Sequence, residues 1–73
     1  MTDERVDQIF TYRAPFGTQA ERYTKLRDNA RVLANQIQTL CPDSKEKSFA
    51  ITSLQQTIMW ANASIAIHEQ ENQ

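Results

Sequence analysis

Residues 10–31 gather Phe10, Tyr12, Arg13, Phe16, Arg22, Tyr23, Lys25, Arg27 and Arg31. Flat rings interleaved with cations suit a ligand that is itself flat and anionic. Bases stack on aromatic side chains for about 1–3 kcal/mol each, and guanidinium or ammonium groups meet phosphates. Lys25 and Arg27 begin a basic ladder that Arg31 continues one helical turn on, and Tyr12 precedes the helix, where its ring can fold over something bound. The candidate ligand-binding residues are therefore Tyr12, Arg13, Phe16, Lys25, Arg27 and Arg31. The same stretch has a plainer reading, with Phe10 and Phe16 as core plugs and the cations solvated. Composition leaves both open.

Nothing comparable supports catalysis. The single histidine, His68, reads as a solvent-facing residue at a helix end, where its charge suits the dipole. The single cysteine, Cys41, reads as a turn residue with no partner for a disulfide. Glu46, Glu69 and Glu71 show no pairing for acid–base work, and one glycine cannot make a phosphate loop. Asn62-Ala63-Ser64 matches the glycosylation acceptor pattern but falls within a helix. No catalytic residue, metal ligand or cofactor is expected.

The chain has 73 residues, 40% hydrophobic, with a net charge of −1. That is one small domain, too apolar for disorder, too short to be more than marginally stable as a monomer, and without a bulk basic field. No apolar run is long enough to span a bilayer, and the charged N-terminus has no apolar segment behind it, so the expected compartment is the cytoplasm. Charge is unevenly spread. Residues 13–31 carry five basic side chains against Glu21 and Asp28, while the last six residues carry Glu69 and Glu71 and no Lys or Arg.

The elements that must position these residues are helices. Val6, Ile9 and Phe10 recur at helical spacing, which predicts a short helix at about 3–10. Ala14-Pro15-Phe16-Gly17 then breaks the chain, and Thr18 with Glu21 three residues on forms a capping-box pattern. Leu26, Ala30, Leu33, Ile37 and Leu40 form one stripe on a helix predicted at 18–40. Cys41-Pro42 ends it, and Asp43 with Glu46 is expected to cap a second long helix at 44–69. There the stripe is Ile51, Leu54, Ile58, Ala61 and Ile65. The short connection forces an antiparallel αα-hairpin, so the fold class is all-α: one helical-hairpin domain over residues 1–73 with a short N-terminal helix. Phe49, Met59, Trp60 and Ile67 fall off the stripe and are left to find a partner, for which a homo-oligomer is the economical reading.

Ser44-Lys45-Glu46-Lys47-Ser48-Phe49-Ala50-Ile51-Thr52 and Met59-Trp60-Ala61-Asn62-Ala63-Ser64-Ile65-Ala66, with Phe10-Thr11-Tyr12, Gln19, Arg22-Tyr23 and Leu26-Arg27 upstream, resemble a family of small tailed-phage proteins. These are the anti-CBASS sponges, whose helical-hairpin domain is shared with sponges that counter Thoeris defence. The resemblance implies a protein that is not an enzyme. It would hold the cyclic di- or trinucleotide messenger of CBASS without cleaving it and so starve the lethal effector. It further implies a homohexamer, with cyclic dinucleotides such as cyclic GMP–AMP between paired protomers and cyclic trinucleotides in separate pockets on the threefold axis. Tyr12 matches the family tyrosine that stacks on a base, and Arg27 the basic residue that contacts phosphate. Lys25 lies about 200° round the helix from Arg27, so one ligand cannot meet both from one protomer. Trp60 would fill a gap between protomers and Asn62 would hydrogen-bond within the bundle. Relatives are expected to carry Ala-Arg after the isoleucine, where this chain reads Ile65-Ala66-Ile67-His68, so an axial pocket would have at most a protonated His68 in place of the arginine. Two other readings remain: a small DNA-binding phage regulator, disfavoured by the net charge, and a ligand-free helical scaffold or adaptor.

Overall fold

The computed structural model describes residues 4–69. Helix α1 spans Glu4–Phe10, α2 spans Gln19–Leu40 and α3 spans Lys45–His68. Each boundary falls within one residue of the sequence expectation, apart from position 3, which lies outside the described residues. The fold is all-helical across the described residues, with α2 and α3 paired as the antiparallel hairpin.

The turn into α2 works differently from the expected capping box. Thr18 has φ −90° and ψ 8°, outside the extended region an N-cap needs to aim its hydroxyl at the first amides. Its hydroxyl accepts instead from Arg22 Nε at 3.1 Å. Gln19 takes over: its amide N–H donates to the Phe16 carbonyl at 3.0 Å, and its side-chain Oε1 accepts from the Phe16 N–H at 3.2 Å. Gly17 lies within that turn at φ +55°, a conformation that strains any residue with a Cβ.

At the other end of the hairpin, Ser44 rather than Asp43 caps α3. Ser44 is extended, at φ −171° and ψ 166°, and its hydroxyl accepts from the Lys47 N–H at 3.1 Å. Asp43 faces the Lys47 ammonium at 2.9 Å, and that ammonium also donates to the Gln38 carbonyl at 2.9 Å. Lys47, its side chain only 9% exposed, thus ties the start of α3 to the frayed carbonyls ending α2.

The stripe expected on α3 faces α2 as drawn: Ile51, Leu54, Ile58, Ala61 and Ile65 are all half-buried. On α2 the seam runs Leu26, Ala30, Ala34 and Ile37, while Leu33 and Leu40 are exposed. Ala34 displaces Leu33 because a step of four from Ala30 keeps small side chains along the line where the two helices meet. Phe49, Met59 and Trp60 are exposed, whereas Ile67 is half-buried. Phe49 and Trp60, eleven residues apart, share a face of α3 turned away from the seam. An α-helix apolar on two sides is built to be covered on both.

The molecule measures 46 × 32 × 13 Å, little thicker than one helix. No hydrophobic side chain is fully buried among the described residues. The accessible surface is 6136 Å², where a folded monomer of this mass exposes about 4,600 Å². A single layer has two open faces, and the candidate side chains lie on both.

Candidate functional site

The α2–α3 seam separates the basic ladder into two sets. On one face, Arg27 and Arg31 of α2 border an open groove of about 280 Å³, floored by Ile51, Leu54 and Ile58 of α3 with Gln55 at its side. On the other, Arg22, Lys25 and Asn29 border a groove of about 240 Å³ over Leu26 and Ile65. The expected angular separation of Lys25 from Arg27 thus puts them in different grooves, while Arg27 and Arg31, one turn apart, share one.

The two sets differ in what holds them. Arg22 forms a two-pronged ion pair with Glu69, the residue that caps α3: Nη1 meets Oε2 at 2.7 Å, and Nη2 meets Oε1. Gln19, the single buried side chain among the described residues at 3% exposure, donates from Nε2 to the Glu69 carbonyl at 3.2 Å. Hydrogen bonds from Arg22 hold the Glu69 carboxyl below the usual carboxylate range; desolvation opposes this, and the Gln19 amide adds to it. The same pairing raises Arg22. Residues 47 positions apart thereby close the open end of the hairpin. Arg27, by contrast, makes a single long contact, from Nη2 to the Thr24 hydroxyl at 3.4 Å, within its own helix.

The remaining candidates lie in or beside the segment linking α1 to α2. Arg13 donates from Nη1 to the Gln8 carbonyl at 2.7 Å, and Thr11 donates to the Asp7 carbonyl, so both satisfy the C-terminal carbonyls of α1. Phe16 is half-buried, as a plug would be, whereas Phe10 is 81% exposed. Tyr12, at 85%, presents a bare ring to solvent. Neither Tyr12 nor Phe16 lines the Arg27 groove within one chain. His68 is exposed at the end of α3, as expected of a helix-end residue. Among the described residues there is no cluster of His, Cys, Asp and Glu that could hold a metal ion, and no helix is long and apolar enough to cross a membrane.

Two features escaped the sequence reading. Gln55 lines the arginine groove, and helical spacing from Ile51 and Ile58 could have placed it there. The Gln19–Arg22–Glu69 cluster carries no local signature, because its members meet only through the hairpin.

An arginine pair left open over an apolar floor, on a thin helical hairpin, is what remains to be placed. The family model described as Acb2/Tad1, hairpin domain, matches residues 2–66. The chain belongs to the anti-CBASS/anti-Thoeris sponge family. Neither a curated protein nor a solved structure matches it. The match covers the segment bearing Tyr12, all of α2 and most of α3, and so takes in both grooves of this sponge-family hairpin.

Proposed function

We propose that the protein sequesters cyclic dinucleotide messengers of CBASS, without cleaving them, in the cytoplasm of an infected bacterium. The observation that carries this reading is the Arg27–Arg31 pair, one turn apart and uncommitted to any carboxylate, over a floor of Ile51, Leu54 and Ile58. A cyclic dinucleotide presents two phosphates and two bases. Guanidinium groups answer the phosphates bidentately, and an apolar floor and a bare tyrosine ring answer the bases. The Arg27–Arg31 groove is lined by arginine, alanine, isoleucine, leucine and glutamine, a set that supports capture.

A groove of about 280 Å³ lies at the lower edge of ligand sites, which run from about 300 to 1,000 Å³, and it is open. One hairpin cannot enclose such a ligand. A second copy supplies the other wall, with its own Tyr12 and Arg27, and the same packing covers Phe49, Met59 and Trp60. Capture and oligomerisation, as a hexamer by likeness to the family, are then one arrangement. Nanomolar retention, about −12 kcal/mol, is what a sponge needs against an effector.

Calorimetric titration with cyclic GMP–AMP, followed by recovery of the ligand after denaturation, tests this. Tight binding with intact ligand returned supports sequestration, and a ratio of one ligand per two chains supports the paired site. Recovery of linear products would make the protein a phosphodiesterase. Absence of heat with cyclic di- and trinucleotides alike would leave the scaffold reading.

A further inference from the structure

Among the described residues, one buried side-chain polar atom has no partner. Asn62 Oδ1, in α3, is wholly buried and accepts no hydrogen bond. Within one chain, its carbonyl therefore finds none of the hydrogen bonds expected of Asn62. A buried amide oxygen without a donor destabilises the fold that carries it, and a leucine of similar shape would not.

The position of Asn62 suggests what it is kept for. Gln55, Ile58 and Asn62 are spaced i, i+3, i+7 and share one face of α3, and the first two line the Arg27 groove. The register of the hairpin is pinned at both ends, by Arg22 on Glu69 and by Lys47 on the Gln38 carbonyl. Counted inward from those pins along two antiparallel helices, Asn62 falls level with the turn of α2 that contains Arg27. Arg27 carries five N–H donors and makes only its 3.4 Å contact with Thr24. An unsatisfied acceptor and an underused donor thus stand across the seam on the same face.

We infer that Asn62 is a positioning residue for the phosphate-binding arginine: when ligand is captured, its side-chain carbonyl accepts an N–H from Arg27 and fixes the plane of the guanidinium toward the phosphate. A guanidinium held by one edge keeps the opposite edge free for a bidentate anion and loses less freedom on binding. The inference rests on the sponge reading.

The test uses Asn62→Leu and Asn62→Ala in the full chain, read by thermal melting and by the Kd for cyclic GMP–AMP. Asn62→Leu is expected to raise Tm by about 4–8 °C, since it removes an unpaired carbonyl. Both variants are expected to weaken binding at least about tenfold, the equivalent of about 1.4 kcal/mol. Because Asn62 acts through Arg27, the loss shrinks below about threefold in an Arg27→Lys background, where the planar fork is gone. Binding unchanged in both variants overturns the inference, as does a loss that persists in full beside Arg27→Lys. A lowered Tm in both variants also overturns it, because the amide would then have a donor in the free protein. Failure of the unmodified protein to bind any cyclic nucleotide removes the sponge reading and the inference with it, whereas binding that ignores Asn62 removes the inference alone.

Discussion

Arg22 and Arg27 lie on the same helix, five residues apart, and the fold uses them in opposite ways. Arg22 is consumed by structure: a carboxylate grips both ends of its fork, and the Thr18 hydroxyl takes its Nε. Arg27 is left over, with one weak neighbour and an apolar groove beside it. In the sequence they are two members of one basic cluster. The difference arises at Glu69, which brings a charge from the far end of the chain to one arginine and not the other. A cation with a built partner is architecture, and a cation without one is free to meet an external anion.

The sharpest way to break this comparison is to remove each arginine in turn. Arg27→Ala should weaken cyclic GMP–AMP binding by about 100-fold or more, because charged hydrogen bonds contribute about 1.5–3 kcal/mol each and a paired site loses two. Its melting temperature should stay close to that of the unmodified protein. Arg22→Ala should do the reverse, lowering Tm while leaving Kd within about threefold. If both variants lose affinity equally with no change in Tm, Arg22 is a ligand residue and the division between them collapses.

Tyr12→Ala comes next. Loss of one stacked base contact corresponds to about 1–3 kcal/mol, or roughly 5- to 150-fold in Kd. Tyr12→Phe, which keeps the ring, should recover most of it. With 85% of the residue exposed, no penalty in stability is expected from either change. A lower Tm in Tyr12→Ala would mean that the ring is packing in the assembled protein rather than waiting for a base.

Much of this architecture was legible in the residues. Periodicity placed all three helices, and the α3 stripe was right at every position because Ile and Leu there alternate steps of three and four without interruption. The α2 stripe departs at Leu33, where pattern reading prefers the larger apolar residue and close helix packing selects Ala34, and at Leu40, which is exposed at the helix end. Thr18 holds the expected N-cap position without capping through its side chain, and the second cap falls one residue after Asp43. Thr18 lacks the extended conformation that its residue type suggests, and Asp43 and Ser44 are both good caps, a choice decided by which lies three residues before the N–H it must meet. For the site, spacing separated Lys25 from Arg27 correctly. It could not show that Arg13 turns back onto α1, nor that Arg22 is paired with Glu69, because those partners are fixed by the turn and by the hairpin.

The Arg22–Glu69 clasp also carries a pH signature that the open Arg27 cannot have. The Glu69 carboxyl is held below its ordinary value of about 4.5, chiefly by the Arg22 hydrogen bonds, and Asp43 is held below 3.8 by Lys47. A carboxyl lowered on folding contributes stability that is present above its unfolded value and lost as pH falls through its folded one. Tm should therefore be flat from about pH 7 down to about 5 and fall below about 4.5. Glu69→Gln should lower Tm at pH 7 and flatten that acid decline. An acid decline identical in Glu69→Gln and the unmodified protein would assign it to other carboxylates.

The smallest effect compares the two helix starts. Ser44 donates to the Pro42 carbonyl and accepts from the Lys47 N–H, so Ser44→Ala orphans an amide and should cost about 0.5–2 kcal/mol. The Thr18 side chain satisfies no backbone donor at the start of α2, and Thr18→Ala removes only its contact with Arg22 Nε while Arg22 keeps its carboxylate. Chemical denaturation should show Ser44→Ala clearly weaker than Thr18→Ala, with unchanged slopes for both. Equal losses would mean that Thr18 braces the Arg22 fork against Glu69, making the committed end of the hairpin depend on three elements rather than two.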